Sequence, residues 1–307
     1  MTQYIIRRLL QMIPITLGIH TLVFSLIHLI PGDPAAAIAG EGARPEDIIS
    51  VRKALGLDQP LWTQYVQYLA RLAHGDLGRS FRTNELVARE IFDRYPATIQ
   101  LAFGAMFVAL LVAFPLGMIS AIYRNSWIDN VARFFALIGV SMPSFWFGPL
   151  LIIAFAIHVQ WFPVSGREEG LRSLVLPSMT MGLALAAILT RMIRVSVAEE
   201  LNQLYVTTAI AKGVTRTRAI FRHALKNAMI PVITVLALQF GSLLTGAIIT
   251  EQIFSWPGLG RLLIQSITTR DYPQVQASIL VIALTYILVN FVSDLLYAVV
   301  DPRIKLG

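Results

Sequence analysis

Six long apolar stretches dominate this chain of 307 residues and restrict the solvent in which it can fold. Each has the roughly 20 predominantly apolar residues that a helix needs to cross the hydrocarbon core of a bilayer. Only 14% of the residues are charged, against about 25% in soluble domains. Inside a bilayer, a helix satisfies its own backbone hydrogen bonds. The sequence therefore predicts an all-α integral membrane protein with six transmembrane helices, at residues 9–30, 98–122, 134–157, 174–193, 228–250 and 277–300.

The first apolar stretch has a second interpretation, as a cleaved secretory signal. Arg7 and Arg8 precede it, and Ala37-Ile38-Ala39 has the small residues of a cleavage site. The apolar core of a signal, however, has about 7–15 residues, and this stretch is longer. The break at Pro31-Gly32-Asp33-Pro34 suits a helix that leaves the membrane at its surface. We interpret residues 1–30 as a cytoplasmic N-terminal segment and an uncleaved first span.

Lysine and arginine in the short loops predict the orientation, because cytoplasmic loops carry an excess of these residues. With the N-terminus inside, the inner segments carry 13 of the 25 lysine and arginine residues and the short outer loops carry four. The other eight lie at 31–97, a segment long enough to cross the membrane regardless of its charge. Both termini are therefore predicted to be cytoplasmic. The net charge of +7 is attributed to basic inner loops rather than to nucleic-acid binding.

Residues 31–97 are predicted to form a small helical insertion on the outer, periplasmic face. Pro45 and the two acids after it are typical of a helix start, and Gly56 is typical of its end. A second helix is predicted between Pro60 and Gly75. Its stripe of aromatic and aliphatic residues suits either packing or contact with the membrane interface.

Two local features are predicted at prolines. Asn84 is expected to cap a third outer helix that ends before Pro96. Ser141-Met142-Pro143-Ser144 is expected to kink the third span, because proline removes a backbone hydrogen bond. Residues 98–307 are predicted to form the core of the protein, which contains the other five spans.

The most informative segment is the inner loop 196–227, between the fourth and fifth spans. It is long for a simple connection, and its pattern is helical, with a turn at Gly213 and Thr215 as a candidate N-cap. Small residues leave room for the close approach of another protein. Three apolar residues are candidate anchors for such a partner: Ile220, Phe221 and Leu225. A basic amphipathic segment lying on anionic lipid has a similar composition and stays open as an alternative.

This loop contains Ala211-Lys212-Gly213 and ends in Arg222-His223-Ala224-Leu225-Lys226-Asn227-Ala228-Met229-Ile230-Pro231. Both runs resemble the coupling loop of permease subunits in bacterial ABC importers. The general family pattern has Glu-Ala-Ala before the glycine, whereas Thr207-Thr208-Ala209 stands here. Where this loop departs from the general pattern, it is similar to the loop of the branch of the family that imports dipeptides, oligopeptides or nickel.

Other runs support the same resemblance along nearly the whole chain. Together and in this order, they are similar to the first of two permease subunits, the one with the larger outer loop. They are Arg7-Arg8-Leu9, Pro31-Gly32-Asp33-Pro34, Gly75-Asp76-Leu77-Gly78-Arg79-Ser80, Phe254-Ser255-Trp256-Pro257-Gly258-Leu259-Gly260, Arg270-Asp271-Tyr272-Pro273 and Asp301-Pro302-Arg303.

The resemblance implies the type I permease fold of ABC importers, in the bacterial inner membrane. It implies four partners for this chain: a homologous second permease subunit, two ATPase subunits and a periplasmic substrate-binding protein. No cofactor is implied for this chain, because ATP and Mg are used by the ATPase subunits. A short helix of the loop is expected to dock in a groove on an ATPase. The residues expected in this coupling loop are Tyr205, Ala209, Lys212, Gly213, Arg216, Phe221, Arg222 and His223.

Two further sets of residues are candidates for the path of the substrate. Gln239, Ser242 and Thr245 recur at spacings of three along one face of the fifth span, where they could line the pathway or form hydrogen bonds between helices. In the outer loop, the Trp256-Pro257-Gly258 turn is expected to be ordered at the membrane surface. Tryptophan favours that interface, and proline restricts the backbone. We expect this turn to line the outer mouth.

Catalysis has little support in the sequence. The absence of cysteine excludes thiol chemistry, the five histidines predict no metal site, and no Gly-rich phosphate loop is present. The sequence also has no convincing nucleophile motif of an intramembrane serine protease. A proton-coupled secondary transporter is the rival from another class, and it would need ionisable residues in the middle of the membrane. Only Asp294 lies well inside a predicted span. The alternative role for Asp294 is that of a charge near a helix end. The prediction is a permease that imports dipeptides, oligopeptides or glutathione, with nickel or another small solute as the alternative.

Overall fold

The computed structural model describes residues 2–29, 34–39, 42–54 and 56–300. In these ranges the regular structure is helical, and the only β-type pairing is an isolated bridge between Arg79 and Leu86. Two π-helical stretches occur, Ile152–His158 directly after α7 and Ile220–Ala224 directly before α11. The α-helices are α1 (Thr2–Leu29), α2 (Pro34–Ala39), α3 (Pro45–Ala54), α4 (Leu61–Ala73), α5 (Val87–Ile122), α6 (Trp127–Ser141), α7 (Ser144–Leu151), α8 (Leu171–Leu201), α9 (Leu204–Ala211), α10 (Arg216–Ala219), α11 (Leu225–Ile253), α12 (Leu259–Thr268) and α13 (Tyr272–Val300).

The predicted apolar stretches fall in α1, α5, the pair α6–α7, α8, α11 and α13. Of the helices that the structure describes, five are long and apolar enough to cross a membrane, and a bent pair supplies a sixth span if it is counted as one. The predicted all-α membrane fold is confirmed. The predicted break after the first span lies at 31–34, where all but Pro34, the first residue of α2, fall outside the described residues.

The third span is broken in the middle. The axes of Trp127–Gly139 and Ser144–His158 differ by 104°. The break lies at Met142 and Pro143, both of which have extended backbones. The kink predicted at this proline is confirmed. The angle between the two axes is much larger than a kink within one helix, because Pro143 serves as the N-cap of α7 and not as an interior residue.

The first two predicted helices of the outer insertion are confirmed as α3 and α4. Gly56 and Gly75 end them with left-handed φ values of +67° and +74°. Such values favour glycine because it has no Cβ. After Gly56, the amide of Leu57 donates to the carbonyl of Arg52 at 3.0 Å, the bond that closes a glycine-terminated helix.

The third predicted outer helix is present as the first part of α5, but its predicted cap and its predicted end are wrong. Asn84 is not a cap but a turn residue with φ +59°, and its amide donates to the carbonyl of Ser80 at 3.0 Å. Asparagine tolerates this left-handed conformation better than most residues. The helix that follows begins at Val87 and runs through Pro96 into the second span without a break. Neighbouring groups in membrane proteins re-satisfy the backbone that a proline frees, so proline alone did not mark an end.

The chain divides into two compact units, of which the first is Met1–Pro96 with Gly258–Ile287. Its hydrophobic core is built from Val87, Ile91, Leu259, Leu262 and Ala277. Beside this core, the Asp271 carboxylate accepts a hydrogen bond from the Ser80 hydroxyl and another from the Phe81 amide at 3.2 Å. Two runs that are 191 residues apart in the chain, Gly75–Ser80 and Arg270–Pro273, therefore meet in one polar junction.

The second unit is Ala97–Pro257 with Leu288–Gly307. Helix α8 lies at its centre, since two-thirds of its most apolar window is buried. Small residues allow neighbouring backbones to approach α8 closely. A Cβ on Gly182 would lie 2.5 Å from the carbonyl oxygen of Ala105, and one on Gly117 would lie 2.7 Å from the Cβ of Ile193.

Candidate functional site

The segment 202–224 connects α8 to α11 through two short helices and a glycine turn. Helix α9 ends at Ala211 with Lys212 as its C-cap, and the next residue, Gly213, has φ +91°. The Gly213 amide donates to the carbonyl of Ile210 at 2.9 Å, and the Val214 amide donates to that of Ala209 at 3.1 Å. This pair of bonds is a Schellman motif, which requires a left-handed residue at the position of Gly213. The predicted turn is confirmed, and Thr215 is the N-cap residue of α10, although its side chain makes no capping bond.

The buried side chains of this segment form a small apolar cluster. Val206, Ala219 and Ala224 are all fully buried, and Leu201 and Val214 pack against them. Val214 follows the glycine, where a hydrophobic contact back onto the helix commonly accompanies a Schellman motif. The two short helices are thus packed against each other by their own side chains.

The solvent-exposed side of the segment presents apolar side chains among cationic ones. Leu204 is 83% exposed and Phe221 is 53% exposed. Ile210 and Tyr205 are exposed as well. The cationic side chains on the same segment are also exposed, namely Lys212, Arg216, Arg218 and Arg222. Exposed apolar groups at this density are typical of a surface that another molecule covers.

Two of the three predicted apolar anchors are not available to a partner. Ile220 is only 5% exposed and belongs to the main hydrophobic core of its unit. Leu225 is half-buried and packs against that core. Of the three, only Phe221 faces outward, because the buried positions of the π-helical turn 220–224 are Ile220 and Ala224. Leu204 and Ile210, which the sequence reasoning missed, are exposed apolar residues of the same segment.

Tyr205 holds the two ends of the segment together. Its hydroxyl donates to the carboxylate of Glu200 at the end of α8 and accepts from the Asn227 side chain at 3.1 Å. Burial, followed by the bond to Glu200, raises the pKa of the Tyr205 hydroxyl. The hydroxyl therefore stays a neutral donor at neutral pH.

The C-terminal part of α8 is fixed by a buried ion pair that the sequence reasoning did not find. The Asp129 carboxylate is fully buried and accepts from Nε and Nη2 of Arg194 at 2.6 and 2.7 Å. It also accepts from the Ser120 hydroxyl and from the Asn125 amide at 2.9 Å. These bonds join the end of α5, the start of α6 and the part of α8 that leads into segment 202–224. The signal in the sequence was an arginine in the last turns of an apolar helix, where it needs a buried acid.

The polar residues predicted on the fifth span share an open face of α11. Ser242 and Thr245 are exposed and Gln239 is half-buried. The Thr245 hydroxyl donates to the Ser242 carbonyl of its own helix at 3.1 Å. A Cβ added to the neighbouring Gly246 would meet nothing within 4 Å. Among the residues that the structure describes, none of the three side chains makes a hydrogen bond to another helix, so this face is free for something outside the chain.

The turn that follows α11 is held by its tryptophan. Trp256 is fully buried, its indole N–H donates to the Ala97 carbonyl at 2.8 Å, and the Arg167 guanidinium lies 5.8 Å from the ring centroid. Pro257 is half-buried and Gly258 is buried. The turn is thus ordered, but by protein contacts and not by an indole exposed at the membrane surface. Its place at the outer mouth stays a prediction.

A second buried acid lies just beyond the predicted end of the fifth span. Glu251 is fully buried, and its carboxylate accepts from the Thr98 hydroxyl at 2.6 Å. Sequence reasoning missed it because the apolar stretch was ended at Thr250, whereas α11 continues to Ile253. Asp294, the residue singled out for a rival mechanism, is half-buried in α13.

The described residues thus form a multi-span helical chain whose central helix leads into a fixed basic segment with exposed apolar groups, an architecture that suits a membrane transport component. Comparison with known proteins agrees. The model for the binding-protein-dependent transport system inner membrane component matches residues 113–306, and the model for the N-terminal part of that component matches residues 1–102. The chain belongs to the family of binding-protein-dependent transport system inner membrane components. Proteins of this family are permease components of ABC importers, which also have ATPase and substrate-binding components.

Curated relatives match this chain along almost its whole length. The dipeptide transport system permease protein DppB of Alkalihalophilus pseudofirmus is 43% identical, over 99% of this chain and 100% of the relative. The glutathione transport system permease protein GsiC of Escherichia coli K12 is 44% identical, over 99% of each.

Solved structures show the same fold at much lower identity. An inward-facing MetNI methionine ABC transporter chain superposes with a TM-score of 0.59 at 16% identity, covering 69% of this chain and 96% of that one. A chain of an amino acid ABC transporter solved with histidines gives a TM-score of 0.53 at 17% identity, covering 68% and 94%. At this identity the likeness supports the fold alone.

Proposed function

We propose that this chain forms, with a homologous second permease subunit, the membrane pathway of an ATP-driven importer of short peptides. The observation that carries the proposal is segment 202–224, a preformed turn that offers exposed apolar and cationic groups at the end of the central helix. The substrate class is supported by relatives whose names specify dipeptides and glutathione, itself a small peptide.

The direction of transport requires an orientation, which the loop charges provide. Segment 202–224 carries its cations on the side where lysine and arginine are enriched, so we place it and both termini in the cytoplasm. Residues 31–97 then form the outer cap. A periplasmic binding protein delivers the peptide to this side, where the Trp256-Pro257-Gly258 turn belongs to the mouth.

Two ATPase subunits supply the energy, since ATP and Mg act on those chains and not on this one. Each ATPase receives a coupling segment in a groove on its surface. Phe221 and Leu204 fit an apolar groove, and the adjacent cations fit an acidic rim. When ATP closes the ATPase pair, the segment moves with its groove, and the Asp129–Arg194 pair passes this motion from α8 to α5 and α6.

The peptide pathway lies along the open polar face of α11. Gln239, Ser242 and Thr245 offer amide and hydroxyl groups that suit the peptide bonds of a passing substrate. Their lack of hydrogen bonds to other helices in the described part of the chain supports this role over that of fastening helices to one another. A second permease subunit would close the pathway from the opposite side.

The test of the coupling role is Gly213→Glu, assayed in proteoliposomes that contain the complete importer. Because φ is +91° and a Cβ would meet nothing within 4 Å, the substitution strains the backbone by about 1 kcal/mol or more and directs an acid outward. We expect peptide uptake to fall, with the ATPases either dissociating or losing their stimulation by loaded binding protein. Binding of that protein at the outer face should be unchanged.

Gly213→Asn is the matched control, since asparagine tolerates a left-handed backbone and carries no charge. It should retain most of the uptake. If the segment instead rests on anionic lipid, Gly213→Glu would weaken membrane contact by only about 1 kcal/mol and leave uptake intact. Normal ATP-driven uptake by Gly213→Glu would therefore remove the coupling role of this segment.

The substrate is tested separately by competition. Uptake of a radiolabelled dipeptide should be inhibited by excess dipeptide, and Ni²⁺ at the same concentration should leave it unaffected. Inhibition by Ni²⁺ alone, with no dipeptide uptake above background, would replace the peptide assignment by the metal one. It would leave the coupling experiment untouched.

A further inference from the structure

The unit Met1–Pro96 with Gly258–Ile287 contains a cavity of about 550 Å³ that the proposed transport cycle does not use. Its walls come from α4, from the turn 76–84 and from the near ends of α1 and α13. A volume of this size is within the range of about 300–1,000 Å³ that is typical of ligand sites.

The polar lining of the cavity contains two arginines and one acid, Asp76. The arginines are Arg71 of α4 and Arg79 of the turn. Arg79 donates from Nη1 to the carbonyl of Asn84 at 2.9 Å. The Arg71 guanidinium makes no ion pair or hydrogen bond with any residue that the structure describes, although it lines the cavity. It is therefore available to an anion.

A buried donor lies beside this arginine. Tyr68 lines the cavity and is only 7% exposed, and its hydroxyl is a buried atom with no hydrogen-bond partner in the described part of the chain. Leaving such a group unpaired costs about 1–3 kcal/mol. Burial raises the pKa of this hydroxyl to about 12, so that it keeps its proton and can donate to an anion at neutral pH.

Other lining residues are apolar and belong to helices that are long and apolar enough to span a membrane. Phe24 belongs to the span Ile5–Ser25, and Ala277 and Leu280 belong to the span Tyr272–Leu295. At about 1.5 Å per residue, Leu280 lies about 12 Å along the helix from Tyr272. The cavity is thus lined both by the arginines of α4 and the turn and by apolar residues of two spans.

Helix α4 has the features of a helix at the membrane interface. It packs on the end of α1, where the Thr21 and Tyr65 hydroxyls are 2.7 Å apart. On another side of α4, Trp62 is 72% exposed and Val66 is 46% exposed. Exposed tryptophan at the end of a span is typical of the headgroup region.

We propose that this cavity binds one phospholipid with an anionic headgroup, whose phosphate is held by Arg71 and the Tyr68 hydroxyl and whose acyl chain lies against Phe24 and Leu280. The lipid would join the outer cap to the first and last spans. The apolar lining contributed by the two spans favours a lipid over a soluble peptide, which would leave that part of the cavity unfilled.

The experiment compares lipid retention by the complete importer in nanodiscs of phosphatidylglycerol and phosphatidylcholine, with native mass spectrometry after release into detergent. We expect one phosphatidylglycerol to stay bound per copy of this chain, and phosphatidylcholine to be lost, because its choline cation would lie near the Arg71 guanidinium and cancel the charge of its phosphate. Arg71→Gln should weaken retention by about fivefold, the effect of one basic side chain near a lipid headgroup. Tyr68→Phe removes a single oxygen and should weaken it by a similar factor.

Arg82→Gln and Arg89→Gln are matched controls, because both arginines are exposed on the same cap and neither lines the cavity. They should retain the lipid as the unmodified importer does. Equal retention of the two lipids, or equal losses for Arg71→Gln and Arg82→Gln, would overturn the proposal. Displacement of the lipid by glycerol 3-phosphate or by a dipeptide at millimolar concentration would also overturn it, in favour of a site for a soluble anion or peptide.

Discussion

At the scale of single residues, three buried carboxylates show how a chain in a membrane accommodates charge. Asp129, Glu251 and Asp271 are each less than 5% exposed, and each accepts a hydrogen bond from a serine or threonine hydroxyl. Asp129 has in addition a bidentate arginine. A buried charge is costly unless such donors are present, so each acid marks a place where elements are locked in one arrangement.

The clearest prediction at this scale concerns the ion pair. Asp129→Asn leaves the Arg194 side chain, which is 15% exposed, without its counter-charge. We expect the free energy of unfolding in detergent to fall by about 3–5 kcal/mol. Arg133→Gln is the control, because Arg133 is 3.6 Å from the same carboxylate but its side chain is 53% exposed. Its effect should stay within about 1 kcal/mol. Equal stability of Asp129→Asn and the unmodified chain would show that the pair does not hold these helices.

Single residues were predictable where the constraint is local. Gly213 was identified because a helix pattern stops there, and its φ of +91° has the local cause expected. Asp129 and Arg194 are 65 residues apart, and each is ordinary for a helix end when considered alone. Their pairing depends on how α6 packs on α8. The residue pattern of a single helix carries no information about that packing.

At the scale of elements, glycine sets the distance between helices. Gly182 of α8 lies so close to α5 that a Cβ would be 2.5 Å from the Ala105 carbonyl oxygen. We expect Gly182→Ala to separate the two helices and lower the free energy of unfolding by about 1–3 kcal/mol. Gly246→Ala in α11 meets nothing within 4 Å and should be neutral or slightly stabilising. Thermal denaturation of the two variants in the same detergent makes the comparison, and equal midpoints would contradict it.

Elements were predictable from apolar length and much less from their ends. Each apolar stretch coincides with a helix or with the broken pair, because a span needs a fixed length of apolar chain. Pro143 broke a helix and Pro96 did not, although both follow apolar or aromatic residues. What distinguishes them is the surroundings of each proline in the folded chain, which sequence alone does not supply.

At the scale of the whole molecule, the orientation in the membrane is the main prediction. Thr83 and Thr217 are both exposed, and the chain has no native cysteine. We expect Thr83→Cys to react with a membrane-impermeant maleimide in intact spheroplasts, and Thr217→Cys to react only after lysis. Labelling of Thr217→Cys in intact spheroplasts would reverse the orientation, and with it the direction assigned to transport.

The closed turn at Gly213 has a consequence for how the importer assembles. Its shape depends on two backbone hydrogen bonds and on a small cluster of its own side chains, and nothing lies within 4 Å of where a Cβ would be. Under the coupling role proposed above, the turn therefore has the same form whether or not an ATPase covers it. A partner that meets a rigid surface has little ordering entropy to overcome, so detachment and reattachment leave no slow refolding step between them. ATPase subunits could then exchange between membrane complexes at rates set by encounter, and a stripped permease would remain competent to rebind them.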